Sequence, residues 1–295
     1  MLAQGWYQSK GNHTNDVQKG DKGGDMPYAH GIWQDVLTIR ERQPLVLSLT
    51  NTVVTNATAN ALLALGASPI MSESRQEIGE LVALSQALVL NIGTLHSRQI
   101  ALMQAAAAHA QTERVPVVLD PVGAGASRLR TDTALALLQT VHPEVLRGNA
   151  SEVLALAGED AHGSGVDSRH LPQQAQEAAQ ALAQQYGCIV CVSGENDVVT
   201  NGRESWYVRN GHALMAKVTG TGCMATALIG AFRAVNDSAL TATVNAMGLM
   251  GVAGEMAGGQ AFGPGTFQAS FFDALYSLSE IDISAQLDVE AADGT

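Results

Sequence analysis

The sequence predicts an α/β fold, a mainly parallel central sheet with helices on both faces. Three observations carry that expectation. Between residues 26 and 280, short apolar runs alternate with Ala-rich stretches of helical length, the order that builds βαβ units. Asn201-Gly202 between two β-rich runs signals one late antiparallel hairpin. Nearly half the residues are hydrophobic but only 4% are aromatic, which suits helices packed tightly on a sheet better than a β-sandwich.

The elements follow in order. Residues 1–25 are rich in Gly, Asn, Asp, Lys and Gln with no apolar period, and read as a disordered N-terminal extension. A strand is expected over 44–50 and a helix over 55–65, stopped by Gly66. A short strand then ends at Met71, and a buried strand over 87–92 is closed by Gly93. Helix 95–109, strand 116–119 and helix 129–139 come next. Strand 145–146 runs into Arg147-Gly148-Asn149, followed by helix 151–157 and a loop at 163–165. Helix 173–185 leads to strand 189–192 and a hairpin over 197–200 and 204–208. Val218-Thr219 reads as a strand entering the glycine turn at 220–222, after which an Ala-rich helix begins. Helices over 239–256 and 266–278 complete the pattern, and 283–295 reads as an acidic, solvated tail. No repeat or shift in composition divides 26–282, which is expected to form one domain.

Charge and cysteines narrow the function classes. A formal charge of −12 argues against nucleic acid and anionic membrane as partners. Three cysteines make no disulfide framework, and no spanning-length apolar run or secretory signal is present, so a cytoplasmic protein is expected. Cys188 and Cys191 lie three apart in a predicted strand and point to opposite faces, so they read as buried hydrophobes, not a metal or redox pair.

Ligands of such sheets bind outside the carboxyl ends of the strands, so the polar residues there matter. Gly220-Thr221-Gly222-Cys223 puts a thiol and free backbone N–H groups at a helix N-terminus, an anion site where a thiol pKa should be lowered. Lys217 just before it is a surface lysine or a ligand contact. Asp120, followed by a glycine-rich turn, suits Mg²⁺ or a loop cap. Arg147 suits phosphate, while Asn149 and Glu152 match either a metal role or a capping box. Ser193-Gly194 could contact phosphates or form a plain turn. Thr50-Asn51 is a helix cap or a ligand contact. Met71 is core filler or a soft contact for an apolar or sulfur-containing ring. The eight histidines show no metal-ligand spacing. Together these residues are the equipment of phosphoryl transfer to an alcohol.

Thr50-Asn51, the run from Thr58 through Leu65-Gly66-Ala67-Ser68-Pro69-Ile70-Met71, Asp120-Pro121-Val122-Gly123-Ala124, Arg147-Gly148-Asn149-x-x-Glu152 and Gly220-Thr221-Gly222-Cys223 keep their order over about residues 40–230. In this they resemble the hydroxyethylthiazole kinase family. The resemblance implies a three-layer ribokinase-like fold and transfer of the ATP γ-phosphate to 4-methyl-5-(2-hydroxyethyl)thiazole, a step toward thiamine. It implies that Met71, Gly220 and Asn51 meet the thiazole alcohol and that Arg147 and Ser193 contact ATP. The N–H groups of 220–223, with Thr221 and Gly222 on the nucleotide side, would form the anion hole. Asp120 and Glu152 would organise Mg²⁺ and its waters, and Cys223 would face the substrate hydroxyl as base or as part of that hole, with Asp120, acting directly or through water, as the rival base. A homotrimer with sites at subunit contacts is also implied. Related sugar and pyrimidine kinases usually carry Asp where Cys223 stands, and relatives often have a His-Cys pair where this chain has Leu47-Ser48. Another ribokinase-like alcohol kinase, a nucleotide-dependent dehydratase and a non-catalytic thiazole- or nucleotide-binding protein are the alternative readings.

Overall fold

The computed structural model describes residues 26–158 and 171–292. The expected disorder over 1–25 and the loop at 163–165 lie outside them.

Among the described residues one sheet of nine strands runs in the order β2-β1-β3-β4-β5-β6-β7-β8-β9. The strands are β1 (Leu45–Leu49), β2 (Ser68–Ile70), β3 (Ala87–Asn91), β4 (Val117–Asp120), β5 (Val145–Asn149), β6 (Ile189–Ser193), β7 (Asp197–Thr200), β8 (Ser205–Val208) and β9 (Val289–Ala291). The first six are parallel, and the last three add antiparallel. Strands buried on both faces read as unbroken apolar runs, and β3 and β4 are buried at every position.

Strand alternation makes two cores. Val46, Val89, Val118 and Cys191 face one, and Leu47, Leu90, Leu119 and Val190 face the other. Helices α1 (Met26–Arg42), α2 (Thr55–Leu65), α8 (Thr221–Arg233), α9 (Ala239–Gln260), α10 (Pro264–Ser277) and α11 (Glu280–Gln286) cover the first. Helices α3 (Ile78–Leu84), α4 (Ser97–Glu113), α5 (Arg128–Val141), α6 (Ala150–Leu156) and α7 (Leu171–Tyr186) cover the second. Cys188 and Cys191 are buried in opposite cores, as their spacing predicts.

The structure corrects two expectations. No strand precedes the glycine turn; a 3₁₀ turn at Ala213–Lys217 does, with Val218 as its extended cap. The solvated tail does not begin at 283. Leu287 and Val289 are buried, β9 pairs with β8, and the intervening Asp288 and the following Glu290 point outward to Arg209 at 3.6 and 2.6 Å. High acidity masked a period of two. Helix α1 was also missed, although Ala29, Ile32, Val36 and Ile39 are buried at helical spacing.

The chain leaves β1 for β2 on one side and returns to place β3 on the other. The topological switch point therefore lies between β1 and β3, where a crevice opens beyond their carboxyl ends. Among the described residues no helix is long and apolar enough to cross a membrane.

Candidate active site

Two asparagines bridge the switch point. Asn51, just past β1, donates from Nδ2 to Asn91 Oδ1 at 2.8 Å, and Asn91 ends β3. Asn51 does not cap α2, whose N-cap is Val54 with no side-chain bond. Its Oδ1 accepts from the Val53 N–H instead, and Nδ2 also reaches Cys223 Sγ at 3.6 Å.

One strand further, Asp120 is fully buried at the end of β4. Its Oδ2 accepts from Asn91 Nδ2 and from Thr226 Oγ1, both at 2.8 Å, while Oδ1 has no partner in the protein. Burial pushes its pKa up to about 6, opposed by the Arg147 guanidinium and the Thr226 hydroxyl. Asp120 is thus a buried carboxylate with one oxygen satisfied and one free, and it caps nothing.

Arg147 on β5 is buried, donates from Nη2 to Ser193 Oγ on β6, and leaves Nε unpaired. Its guanidinium lies against Gly222 at the start of α8. A second buried carboxylate, Asp197, accepts from the Gly194 N–H at 2.9 Å and closes the turn that carries Ser193. Desolvation raises its pKa to about 6 as well. Gly220 is the N-cap of α8, at a φ of +87° that suits glycine. The amides of Thr221, Gly222 and Cys223 occupy the first helical positions and have no intrahelical acceptor. With Arg147 beneath them, they make one electropositive pocket.

Cys223 differs from expectation. Burial, and next the nearby Asp120, push its pKa up to about 11. The helix start does not yield a thiolate, because the thiol is half-buried and shares its surroundings with a carboxylate.

Glu152 forms the capping box with Asn149: its Oε2 accepts from the Asn149 N–H at 2.8 Å, and Asn149 Oδ1 accepts from the Glu152 N–H at 3.0 Å. Its Oε1 accepts from the Gly123 N–H at 2.8 Å, which pins the loop after β4 beside Asp120. Arg130 braces that loop by donating to the carbonyls of Val122, Ile92 and Gly93. A cleft of about 530 Å³ opens here, lined among others by Gly123, Ser127, Asn149 and Glu152. No group of three or more His, Cys, Asp or Glu among the described residues could hold a metal alone. Asp120 Oδ1 is the one free carboxylate oxygen of this set, since both oxygens of Glu152 already accept backbone N–H groups; with phosphates and waters to complete its shell, Mg²⁺ could use so sparse a set.

Direct contacts therefore connect Asn51 with Cys223, and Arg147 with Ser193 and Gly222; Asn91 joins the first pair to Asp120. Met71 follows the edge strand β2, half-buried, outside this bonded network. Lys217 is exposed. The sequence reading missed Asn91, Thr226, Asp197 and Arg130. Asn91 had a signal, an amide at the end of an otherwise apolar run. Thr226 had one too, being a turn beyond Gly222 on the same helix face. Asp197 and Arg130 had none.

Comparison with known proteins places the architecture first. A ribokinase-like superfamily protein from Enterococcus faecalis shares the fold at 14% identity, with a TM-score of 0.58 over 78% of this chain and 86% of that one. The chain thus has the same α/β fold as that protein. At closer range, residues 36–281 match the model of the hydroxyethylthiazole kinase family. A hydroxyethylthiazole kinase from Oleidesulfovibrio alaskensis is 51% identical over 258 residues, 88% of this chain and 97% of the relative. The structure of a hydroxyethylthiazole kinase protein from Pyrococcus horikoshii superposes with a TM-score of 0.83 at 40% identity, covering 90% of this chain and all of that one. The chain belongs to the hydroxyethylthiazole kinase family.

Proposed function

We propose that this protein transfers the γ-phosphoryl group of ATP to the hydroxyl of 4-methyl-5-(2-hydroxyethyl)thiazole, a salvage step toward thiamine. The observation that carries the reading is the free Oδ1 of buried Asp120 beside an electropositive helix start. In this reading the amides of Thr221, Gly222 and Cys223, with Arg147 and Ser193, receive the ATP phosphates. Asn51, Met71 and Gly220 bound the thiazole pocket. The hydroxyl oxygen bonds to the γ-phosphorus, the bond from that phosphorus to the bridging oxygen breaks, and ADP leaves. The hydroxyl proton passes to Asp120 Oδ1. Cys223 keeps its proton at neutral pH and shapes the pocket, because its thiol is pushed up to about 11.

Asp120 and Glu152 would organise Mg²⁺ through its bound waters, with phosphate oxygens as its direct ligands, so that Asp120 Oδ1 stays free to take the proton. The ion would neutralise charge on the transferring phosphate.

The same reading includes a homotrimer with the site at subunit contacts. Val53, an apolar residue 66% exposed two positions from Asn51, supports a covering neighbour there; light scattering measures the mass. Three unpaired cysteines are in keeping with a cytoplasmic location. Coupled ADP release with thiazole alcohol, ATP and Mg²⁺ tests the activity. Turnover should require the alcohol, and a rate no higher than the ATP-only background would end the proposal.

A further inference from the structure

Asn91 joins the two sides of the site. It pairs in register with Asp120 on β4 and is bonded to Asn51 beyond β1. Its amide can sit only one way round. Oδ1 accepts from Asn51 Nδ2 at 2.8 Å and from the Gly93 N–H at 3.0 Å, so Nδ2 faces Asp120 and donates to Oδ2 at 2.8 Å. Asn51 is fixed too, with Oδ1 on the Val53 N–H and Nδ2 shared between Asn91 and Cys223. Thr226 supplies the second donor to Asp120 Oδ2. With Oδ2 saturated, the carboxylate presents Oδ1.

Burial sharpens the point. Asn91 is 1% exposed in a strand whose neighbours Leu90 and Ile92 are apolar. An apolar residue would fill the space without the cost of a buried amide. Gly93 contributes to the same geometry. A Cβ there would stand 2.5 Å from Asn51 Nδ2, so bare backbone is what lets the Asn51 amide reach Asn91.

We infer that Asn91 is a positioning residue for phosphoryl transfer, locking the Asn51 amide of the thiazole pocket and the Asp120 carboxylate into one hydrogen-bonded unit that holds acceptor and carboxylate in register. The inference deepens the functional reading above and rests on it. In its effect on kcat, Asn51 acts through Asn91, so there the two residues behave as one.

The test is a double-mutant cycle of Asn51→Ala and Asn91→Ala, with Gly93→Ala alongside. Both KM values and kcat are measured per folded molecule, with folding followed by circular dichroism. Asn91→Ala should lower kcat by about 10–100-fold, the cost of misplacing reacting groups by an ångström or so. The KM for ATP should stay within about twofold of wild type, and Asn51→Ala should cost no more than about twofold further in kcat in that background. Gly93→Ala leaves Asn91 intact and should raise the thiazole KM; it decides the matter if Asn91→Ala does not fold. Wild-type kinetics in Asn91→Ala, single effects that multiply to within about twofold, or an unchanged thiazole KM in Gly93→Ala would overturn the inference. Wild-type protein that does not phosphorylate the alcohol overturns the functional reading and this inference together. Failure of the variants alone leaves the functional reading standing.

Discussion

The Arg147 guanidinium lies directly against Gly222, so close that a Cβ on Gly222 would stand 2.5 Å from Arg147 Nη1. The second glycine of the Gly-Thr-Gly-Cys run is there for proximity, since it lies outside the left-handed region. Its missing side chain lets a buried cation and the first amides of α8 converge on one point.

Gly222→Ala should therefore push Arg147 off the anion pocket. The kcat/KM for ATP is expected to fall by about 10²-fold, the scale of an ångström-sized misplacement, while the thiazole KM changes little. Steady-state kinetics with each substrate varied measures this. An unchanged kcat/KM for ATP would mean that phosphate does not sit over Arg147.

Asp120→Asn should separate stability from activity. The variant removes a fully buried charge whose pKa is raised by desolvation, and an amide oxygen can still accept from Asn91 and Thr226. Tm at neutral pH should rise by several degrees, as for a stabilisation of about 1 kcal/mol or more. Turnover should fall by about 10²–10⁴-fold, the usual worth of a proton acceptor. Differential scanning calorimetry and the coupled assay check the two halves. A Tm below wild type would contradict the buried-charge argument.

Cys223→Ser should retain turnover within about tenfold, well short of the loss expected for a general base. The thiol is pushed up to about 11 by burial and by Asp120, so it stays protonated at neutral pH. Alkylation by iodoacetamide near pH 7 should be slower than for a free thiol. Fast alkylation would show that the helix start outweighs burial.

Asp197 predicts a pH signature in stability. Its pKa is raised from 3.8 to about 6, so the folded state binds the more protons between those values. The contribution to stability is accordingly fully present below 3.8 and is lost as pH rises to about 6. Asp197→Asn should gain stability on wild type across that window and hold the gain above it. Paired urea titrations from pH 4 to 7.5 measure the difference; a gap that narrows with rising pH would contradict it.

Much of the frame was legible because the physics was local. The α2 helix stops where Gly66 takes a left-handed φ of +114°, and β7 and β8 form the expected hairpin, although its loop spans four residues, 201–204, with Gly202 at a φ of +86°. The Asn149–Glu152 capping box was readable from spacing alone. Tertiary facts were not. Asn51 could have been a cap, and only the position of Asn91 across the switch point makes it a bridge. The pKa direction of Cys223 was misjudged because the sequence exposes the helix start but hides the depth of burial and the carboxylate nearby. Leu287, which caps α11, and Val289, the one buried residue of the three-residue β9, were lost among acidic neighbours, since so short a strand does not announce itself.

The most direct test of the account is phosphorus NMR of the reaction products, with wild type and Asp120→Asn run side by side on ATP, Mg²⁺ and the thiazole alcohol. Wild type should form a phosphate monoester of the alcohol in equal amount to ADP, and Asp120→Asn should form almost none. ADP without the ester, or the ester formed equally well by Asp120→Asn, would contradict it.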